Sequence, residues 1–588
     1  MALTGEAGKD WWERWNGLLQ AEFDAFAARG ASARIVSQAN GFLIMAVDWP
    51  LDDRTIRLDV GFSPLHPYFR PTVTTADLQL ARHQHPFDGG LCLLVQGSGQ
   101  WHGVERVADL IASQLASIIK VNQLRAEGDW GGAAELEEQA ADPLSSYLAG
   151  SAEECSAVLM ASAPAIPRSD GGPAQFAVQW RSTRRAHGPF EAVLRKCEPA
   201  SGSWLAPAFD LPQPQGEWHR LPGRWARLAG PLPDDPAALL EMADAAFARL
   251  ALADKALRPH TAKAQAELSI TAIVYEDELH YGPGGRGDNL LFLAVRGEPG
   301  KPGKRKCTLV RGFRVGADRL VRLPVAAALR TRKVLLLGCG AIGSFVALEL
   351  ARAGVGQLRL VDHDLVEPGN SVRWPLGRPY WGLPKVAALH AFLSQNYPWT
   401  ATSHAVLRIG GALADPEAAA KLTGNPREQL REMIAEADLV IDATASDECQ
   451  LAVAHLCRDL TRPLVVGHAT EGLAGGAVVR LRPERPGCLA CLHDHWSEGS
   501  VALPPIDSSG TVTPLGCNMP TFTGGAFDLE EVSLEMVRSA IGLLAPDVRD
   551  PGDWDWSTLA LVGEEGRRLP AWSSGKIVPR VTCACSKA

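Results

Sequence analysis

Apolar residues recur at three- and four-residue intervals along "DWWERWNGLLQAEFDAFAA", residues 10–28, which predicts a first helix. Alternation replaces that spacing in "ARIVSQANGFLIMAVDWP" and "TIRLDVGFSP", predicting short antiparallel strands with turns at Asn40-Gly41 and at Pro50. A proline-rich run, "PLHPYFRPTVT", leads to a segment around Cys92 and then to an amphipathic helix, "GVERVADLIASQLASII". Residues 126 to about 160 read as helical and linking. From about 172 to 305, strand-like pieces ("QFAVQW", "FEAVLRKC", "SITAIVYEDELHY", "NLLFLAVRG") surround one helix, "DPAALLEMADAAFARLALADKAL". The stretch "RGEPGKPGKRK" is expected to end that region. At residue 333 the pattern changes to apolar strand, glycine turn, helix and apolar strand, "KVLLLGCGAIGSFVALELARAGVGQLRLVDHD". With "ADLVIDATAS" and "PLVVGHAT" this predicts a doubly wound parallel sheet.

Length and composition narrow the possibilities. A chain of 588 residues is too long for one core. The net charge of -9, with 46% apolar and 21% charged residues, argues against nucleic acid or an anionic membrane as the main partner. The start, "MALTGEAGKDWWERW", lacks the basic and apolar regions of a signal peptide, and no run is long and apolar enough for a membrane span. A cytoplasmic location is expected, so the 12 cysteines read as ligands, nucleophiles or core fillers rather than disulfides.

Gly338, Gly340 and Gly343 form G-x-G-x-x-G between a strand and a helix, where phosphate oxygens can approach free helix N–H groups. Asp362, ending the next strand, is placed for ribose hydroxyls. To this point an NAD dehydrogenase fits equally well. Asp364, Asn370, Arg373 and Lys385 follow, and the two cations suit a triphosphate and its leaving pyrophosphate better than a neutral nicotinamide ring. The pairs Cys488-x-x-Cys491 and Cys583-x-Cys585 suit a tetrahedral zinc of structural role, since four thiolates leave no open position. Cys517, alone in the Pro/Gly/Thr-rich "TPLGCNMPTFTGG", has the setting of a nucleophile. On its own stretch, Cys92 could be a small buried core residue.

Together, "GCGAIGS…LVDHDLVEPGNSVR…GLPK" resembles the ThiF-type ubiquitin-activating superfamily over about residues 310–588. The resemblance implies ATP held at its ribose by Asp362 and at its phosphates by Asn370, Arg373 and Lys385. It also implies Mg2+, whose usual aspartate position holds Ala445 here, with Asp447 two residues on. Cys517 looks like the thioester-forming cysteine of the activating enzymes. Residues 10–125 resemble ubiquitin-conjugating enzymes. His85-Pro86-Phe87 stands where those have HPN, Gly89-Gly90-Leu91-Cys92 carries the nucleophile, and Trp101 follows. Cys92 is then the acceptor thiol. Phe87 cannot supply the hydrogen bond of the family's Asn, and His83, His85 and Asp88 are candidates to replace it.

The chain therefore reads as α/β. It is expected to hold an N-terminal α+β ubiquitin-conjugating-like domain (1–125), an α+β linking domain (126–309) and a C-terminal doubly wound Rossmann-like adenylation domain (310–588). It resembles bacterial fusions of anti-phage signalling (CBASS) and ubiquitin-like operons. The expected partners are a ubiquitin-like protein or the C-terminus of a cGAS-like nucleotidyltransferase, a target lysine, and a second copy through the adenylation domain. The alternatives are a sulfur-carrier activator of cofactor synthesis and a non-catalytic ATP-binding scaffold.

Overall fold

The structure is a computed structural model. It describes residues 10–93, 101–136, 144–148, 155–161, 166–181, 188–198, 218–253, 268–278, 285–297, 305–315, 322–410, 424–512 and 521–586. The chain divides into two compact units, and the second takes over at Arg314.

The first unit opens with α1 (Trp11–Arg14) and α2 (Asn16–Ala28), one expected helix interrupted at Trp15. A four-stranded antiparallel sheet follows: β1 (Ser32–Ala39), β2 (Phe42–Leu51), β3 (Arg54–Phe62) and β4 (Thr72–Thr74), in that spatial order. Asn40 and Gly41 turn β1 into β2 with φ of 54° and 79°, which Asn and Gly tolerate. Pro50 is not at a turn. It lies inside β2 opposite Thr55, and the reversal falls at Asp52-Asp53. The β1 ladder ends at Asp48, so at Pro50 the sheet has no strand on that side to need its missing N–H. α3 (Val107–Ala126) lays Val107, Ile111 and Leu115 on Met45, Val47, Ile56 and Leu58.

Glu22 of α2 is fully buried, and its carboxylate accepts the N–H of Val107 at the start of α3 (3.1 Å). Burial raises its pKa to about 7. Between pH 4.5 and 7 the folded state thus holds a proton that the unfolded chain has lost. Stability therefore falls as pH rises through that window, by about 3 kcal/mol at most. Glu22→Gln should remove this slope, which urea midpoints of both proteins at pH 4.5 and 8 would measure.

α4 (Trp130–Leu136) and α5 (Leu144–Tyr147) lead into a closed barrel. Its strands are β5 (Ala157–Ala161), β6 (Gly171–Trp180), β7 (Phe190–Cys197), β8 (His219–Arg227), β9 (Leu268–Glu278), β10 (Arg286–Gly297) and β11 (Arg305–Val315), ordered β10-β11-β5-β7-β6-β8-β9. The expected end of this region at "RGEPGKPGKRK" is corrected by β11, which starts inside that stretch and completes the barrel. Phe176, Phe190, Trp225 and Phe292 form one core cluster. The alternate positions Ile273, Leu291 and Leu293 pack on Leu239 and Ala243 of α6 (Pro236–Ala253). Burial on both faces explains why β9 and β10 read as unbroken apolar runs.

The second unit is built on an eight-stranded sheet. Its elements are α7 (Val325–Leu329), β12 (Lys333–Leu337), α8 (Ala341–Ala353), β13 (Gln357–Asp362), α9 (Lys385–Asn396), β14 (Ala401–Val406), α10 (Pro426–Glu436), β15 (Leu439–Asp442) and α11 (Asp447–Asp459). These are followed by β16 (Leu464–Ala469), β17 (Gly475–Leu481), α12 (Leu489–Ser497), the short pair β18 (Thr511–Val512) and β19 (Thr521–Phe522), α13 (Ala526–Leu544), β20 (Trp556–Gly563) and β21 (Gly566–Gly575). The sheet order is β14-β13-β12-β15-β16-β17-β20-β21. The expectation of a parallel sheet holds for β14 through β16, whereas β17, β20 and β21 join antiparallel. Helices cover both faces of the parallel half, with α8 and α13 on one and α10 and α11 on the other.

Candidate functional site

The glycine turn sits between β12 and α8. Gly338 has φ +83°, and a Cβ there would meet the Ala443 and Thr444 backbone at 2.7–2.8 Å. A Cβ on Gly343 would lie 1.9 Å from the Gly338 carbonyl oxygen. These two glycines let the loop fold against the end of β15 and let α8 begin immediately beside it. Gly340 differs: it is the N-cap of α8, and a Cβ there would have nothing within 4 Å among the described residues. Its open side is the approach to the free N–H groups of a 13-residue helix.

Asp362 shapes that loop. One of its oxygens accepts the N–H of Cys339 (2.6 Å) and the other that of Asp364 (2.8 Å). Each oxygen keeps a further lone pair for a hydroxyl. Asp364 pairs with Lys385, Nζ to Oδ2 at 2.9 Å, and the Lys385 N–H donates to the Asp364 carbonyl (2.9 Å). Partial burial pushes the Asp364 carboxyl up, but the Lys385 ammonium overrides it and holds the group below its usual range. Asn370 caps a 3-10 turn over Pro368–Val372, accepting from the Glu367 N–H (3.0 Å). Arg373 ends that turn, partly buried, and desolvation lowers its pKa.

Trp374 is a residue that sequence reasoning missed. Its indole N–H donates to the Cys339 carbonyl (2.9 Å) from a buried position. This ties the Arg373 turn directly to the glycine loop. Nothing in the motif spacing marks it beyond its place next to Arg373.

Asp447 opens α11, exposed, behind the N-cap Ser446, whose Oγ accepts the Cys449 N–H (3.4 Å). Ala445 has φ 56°. Asp442 is fully buried at the end of β15. Its Oδ1 accepts from Thr444 N–H and Oγ1–H, its Oδ2 has no partner among the described residues, and burial raises its pKa to about 6.

The four C-terminal cysteines come together. Sulfur separations are 3.7 Å (Cys488–Cys491), 3.6 Å (Cys488–Cys583) and 3.4 Å (Cys491–Cys585). A tetrahedral ion with metal–sulfur bonds of about 2.3 Å needs sulfurs roughly 3.8 Å apart, so the cluster fits one. A disulfide, at about 2.05 Å, it is not. Cys488 caps α12, the Arg580 N–H donates to Cys491 Sγ (3.3 Å), and hydrogen bonds from Cys585 lower the Cys583 thiol to about 7.

In the first unit, Cys92 is exposed. Its N–H donates to the His83 carbonyl (2.8 Å), and His85 N–H to the Gly90 carbonyl (2.7 Å), closing the loop over itself. His85 Nδ1 lies 3.0 Å from Asp88 Oδ1, and Asp88 Oδ1 accepts the Gly90 N–H (2.8 Å). Phe87 packs against the cluster formed by the barrel and α6. Cys517 lies outside the described residues.

The strand–glycine turn–helix unit, its acidic partner on the next strand and the flanking parallel strands define a Rossmann-like fold in this unit. Residues 317–515 match the ThiF family. The uncharacterized protein y4oA of Sinorhizobium fredii (strain NBRC 101917 / NGR234) is 50% identical over 99% of this chain and 98% of its own length. The sulfur carrier protein ThiS adenylyltransferase of Escherichia coli (strain K12) is 28% identical over 39% of this chain and 82% of its own. A solved structure of E. coli MccB with succinimide aligns over 46% of this chain and 74% of its own at 17% identity, with a TM-score of 0.33. The chain belongs to the same family as y4oA and carries a ThiF-family domain in its C-terminal half. Among the described residues, no helix is long and apolar enough to cross a membrane.

Proposed function

We propose that this protein uses ATP to activate a protein C-terminal carboxylate, relays the acyl group from Cys517 to Cys92, and joins it to a target amine. The observation that carries the reading is the glycine loop: Gly340 leaves clear space at the start of α8, beside the Asp364–Lys385 pair. The ThiF-family match supports adenylation as the first step. The carboxylate attacks the α-phosphate of ATP, and pyrophosphate leaves past Arg373 and Lys385. Asp362 orients the ribose, while Asn370 and the loop N–H groups hold the phosphates. Mg2+ would be held by Asp447 together with the nucleotide's own oxygens, neutralising phosphate charge. The Cys517 thiolate then takes the acyl group with AMP leaving. The Cys92 thiolate displaces Cys517, and an amine, a lysine for example, displaces Cys92.

The activated partner is a ubiquitin-like protein or the tail of a cGAS-like nucleotidyltransferase, in a bacterial cytoplasm and an anti-phage setting. The active form is a homodimer through the adenylation domain, and Zn2+ on Cys488, Cys491, Cys583 and Cys585 ties the C-terminal tail to that domain. Carboxylate-dependent exchange of labelled pyrophosphate into ATP by the purified chain tests the activation step, and absence of exchange with any carboxyl-terminal peptide of its operon would refute it. A sulfur-carrier activator, the reading favoured by the likeness to ThiS adenylyltransferase, shares that step but has no use for Cys92.

Elemental analysis should find one zinc per chain. The double variant Cys583→Ser/Cys585→Ser should lose it, because two thiolates rarely retain a structural ion. Zinc retained by that variant would assign the ion to other ligands.

A further inference from the structure

The loop that carries Cys92 begins at Arg82, whose side chain is only 1% exposed. Its guanidinium pairs with Glu278, the last residue of β9 in the barrel, and the other Glu278 oxygen pairs with Arg125 near the end of α3. One carboxylate, 9% exposed, thus bridges two arginines, one from the foot of the loop and one from the helix beneath it. The main chain of Arg82 is held as well. Its N–H donates to Asn122 Oδ1 (3.0 Å) and its carbonyl accepts from Asn122 Nδ2 (3.1 Å). The next residue, His83, has φ 60°, and its carbonyl receives the N–H of Cys92.

The same loop touches the barrel side twice more. Phe87 packs on the barrel and α6 cluster, and His85 meets Tyr147 of α5 edge to face at 4.6 Å. α5 is itself tied down through the Leu144 N–H to Asp277 (3.0 Å), the neighbour of Glu278.

We infer that Glu278 is a positioning residue for the Cys92 thiol, and that the barrel is a working part of the conjugating-like site. This rests on reading Cys92 as an acceptor thiol. Two guanidiniums that share a single buried carboxylate cannot keep their places once its charge is gone, because each is desolvated and they repel. The Arg82 side chain is then pushed against the Asn122 bonds that hold its main chain, and the adjoining His83 carbonyl loosens. Phe87, which stands where the resemblance expects Asn, packs on that barrel cluster.

The test uses the full-length chain and reads amide hydrogen exchange over residues 83–92. Glu278→Gln should speed exchange at Cys92 by about 10-fold or more by freeing the bond to His83. Glu278→Asp, which keeps the charge, should recover most of the protection. Glu191→Gln, which removes a barrel ion pair with Arg181, should match the wild type. In the same proteins, discharge of a Cys92 thioester to an amine should slow about 10-fold in Glu278→Gln while pyrophosphate exchange is unchanged. Wild-type exchange in Glu278→Gln, or equal loosening in Glu191→Gln, would overturn the inference. If Glu278→Gln does not fold, Phe87→Ala takes its place: faster loop exchange supports the barrel's hold and unchanged exchange refutes it. A wild type that forms no thioester on Cys92 sinks the acceptor reading, while hydrogen exchange still decides the clamp.

Discussion

Gly343→Ala is expected to abolish carboxylate-dependent pyrophosphate exchange, with a loss of at least about 100-fold. The added methyl would sit 1.9 Å from a backbone oxygen, that of Gly338, where ordinary contact needs far more room. A carbonyl cannot swing aside as a flexible side chain can. Either α8 moves off the loop or the loop opens, and both destroy the N–H cradle at the start of the helix. Overpacking of this kind costs about 1–3 kcal/mol of stability as well, so a melting curve should accompany the assay. Gly340→Ala makes the instructive contrast. Its methyl meets nothing within 4 Å among the described residues, so the protein should fold as well as the wild type yet exchange poorly, because the methyl occupies the approach to the cradle. Normal exchange in both variants would remove phosphate binding from this loop.

Lys385→Ala should lower the same exchange about 10- to 100-fold, the loss of one charge-assisted phosphate contact at about 1.5–3 kcal/mol. The structure adds a reason for the upper end. Lys385 neutralises Asp364, and without the ammonium that carboxylate faces incoming phosphates uncompensated. The double variant Lys385→Ala/Asp364→Asn should therefore recover part of the loss. Arg373→Ala removes the second cation and should lower exchange about 10-fold or more, by the same loss of a charge-assisted phosphate contact. Steady-state exchange at saturating ATP in the three variants measures this. Wild-type activity in all of them would take Lys385 and Arg373 out of the pyrophosphate path.

Local features were legible in the sequence and distant ones were not. The strand, glycine turn and helix around Gly338–Gly343 could be read because each depends on residues within a few positions. The cysteine pairs were legible from spacing, and the fold brings them together across some 95 residues, as a shared tetrahedral site requires. Pro50 misled because proline was read as a turn former, when its place beyond the end of the β1 ladder made it harmless in a strand. In the antiparallel half of the sheet, β21 is the strand hardest to read: it is an edge strand, mostly exposed, that mixes Arg and Ser with Leu569, Trp572 and even Pro570. Trp374 and Glu278 act through partners 35 and 196 residues away, and no local pattern encodes such contacts.

The relay is tested most directly by locating the thioester in two variants given ATP and the carboxyl-terminal peptide or protein that supports exchange. Reductant-sensitive adducts are assigned to Cys92 or Cys517 by peptide mass. In the sequence Cys517 follows the glycine loop, whereas Cys92 belongs to the first unit. No adduct is therefore expected on either thiol in Cys517→Ala, and an adduct held on Cys517 with no final conjugate in Cys92→Ala. Normal charging of Cys92 in Cys517→Ala would contradict the relay.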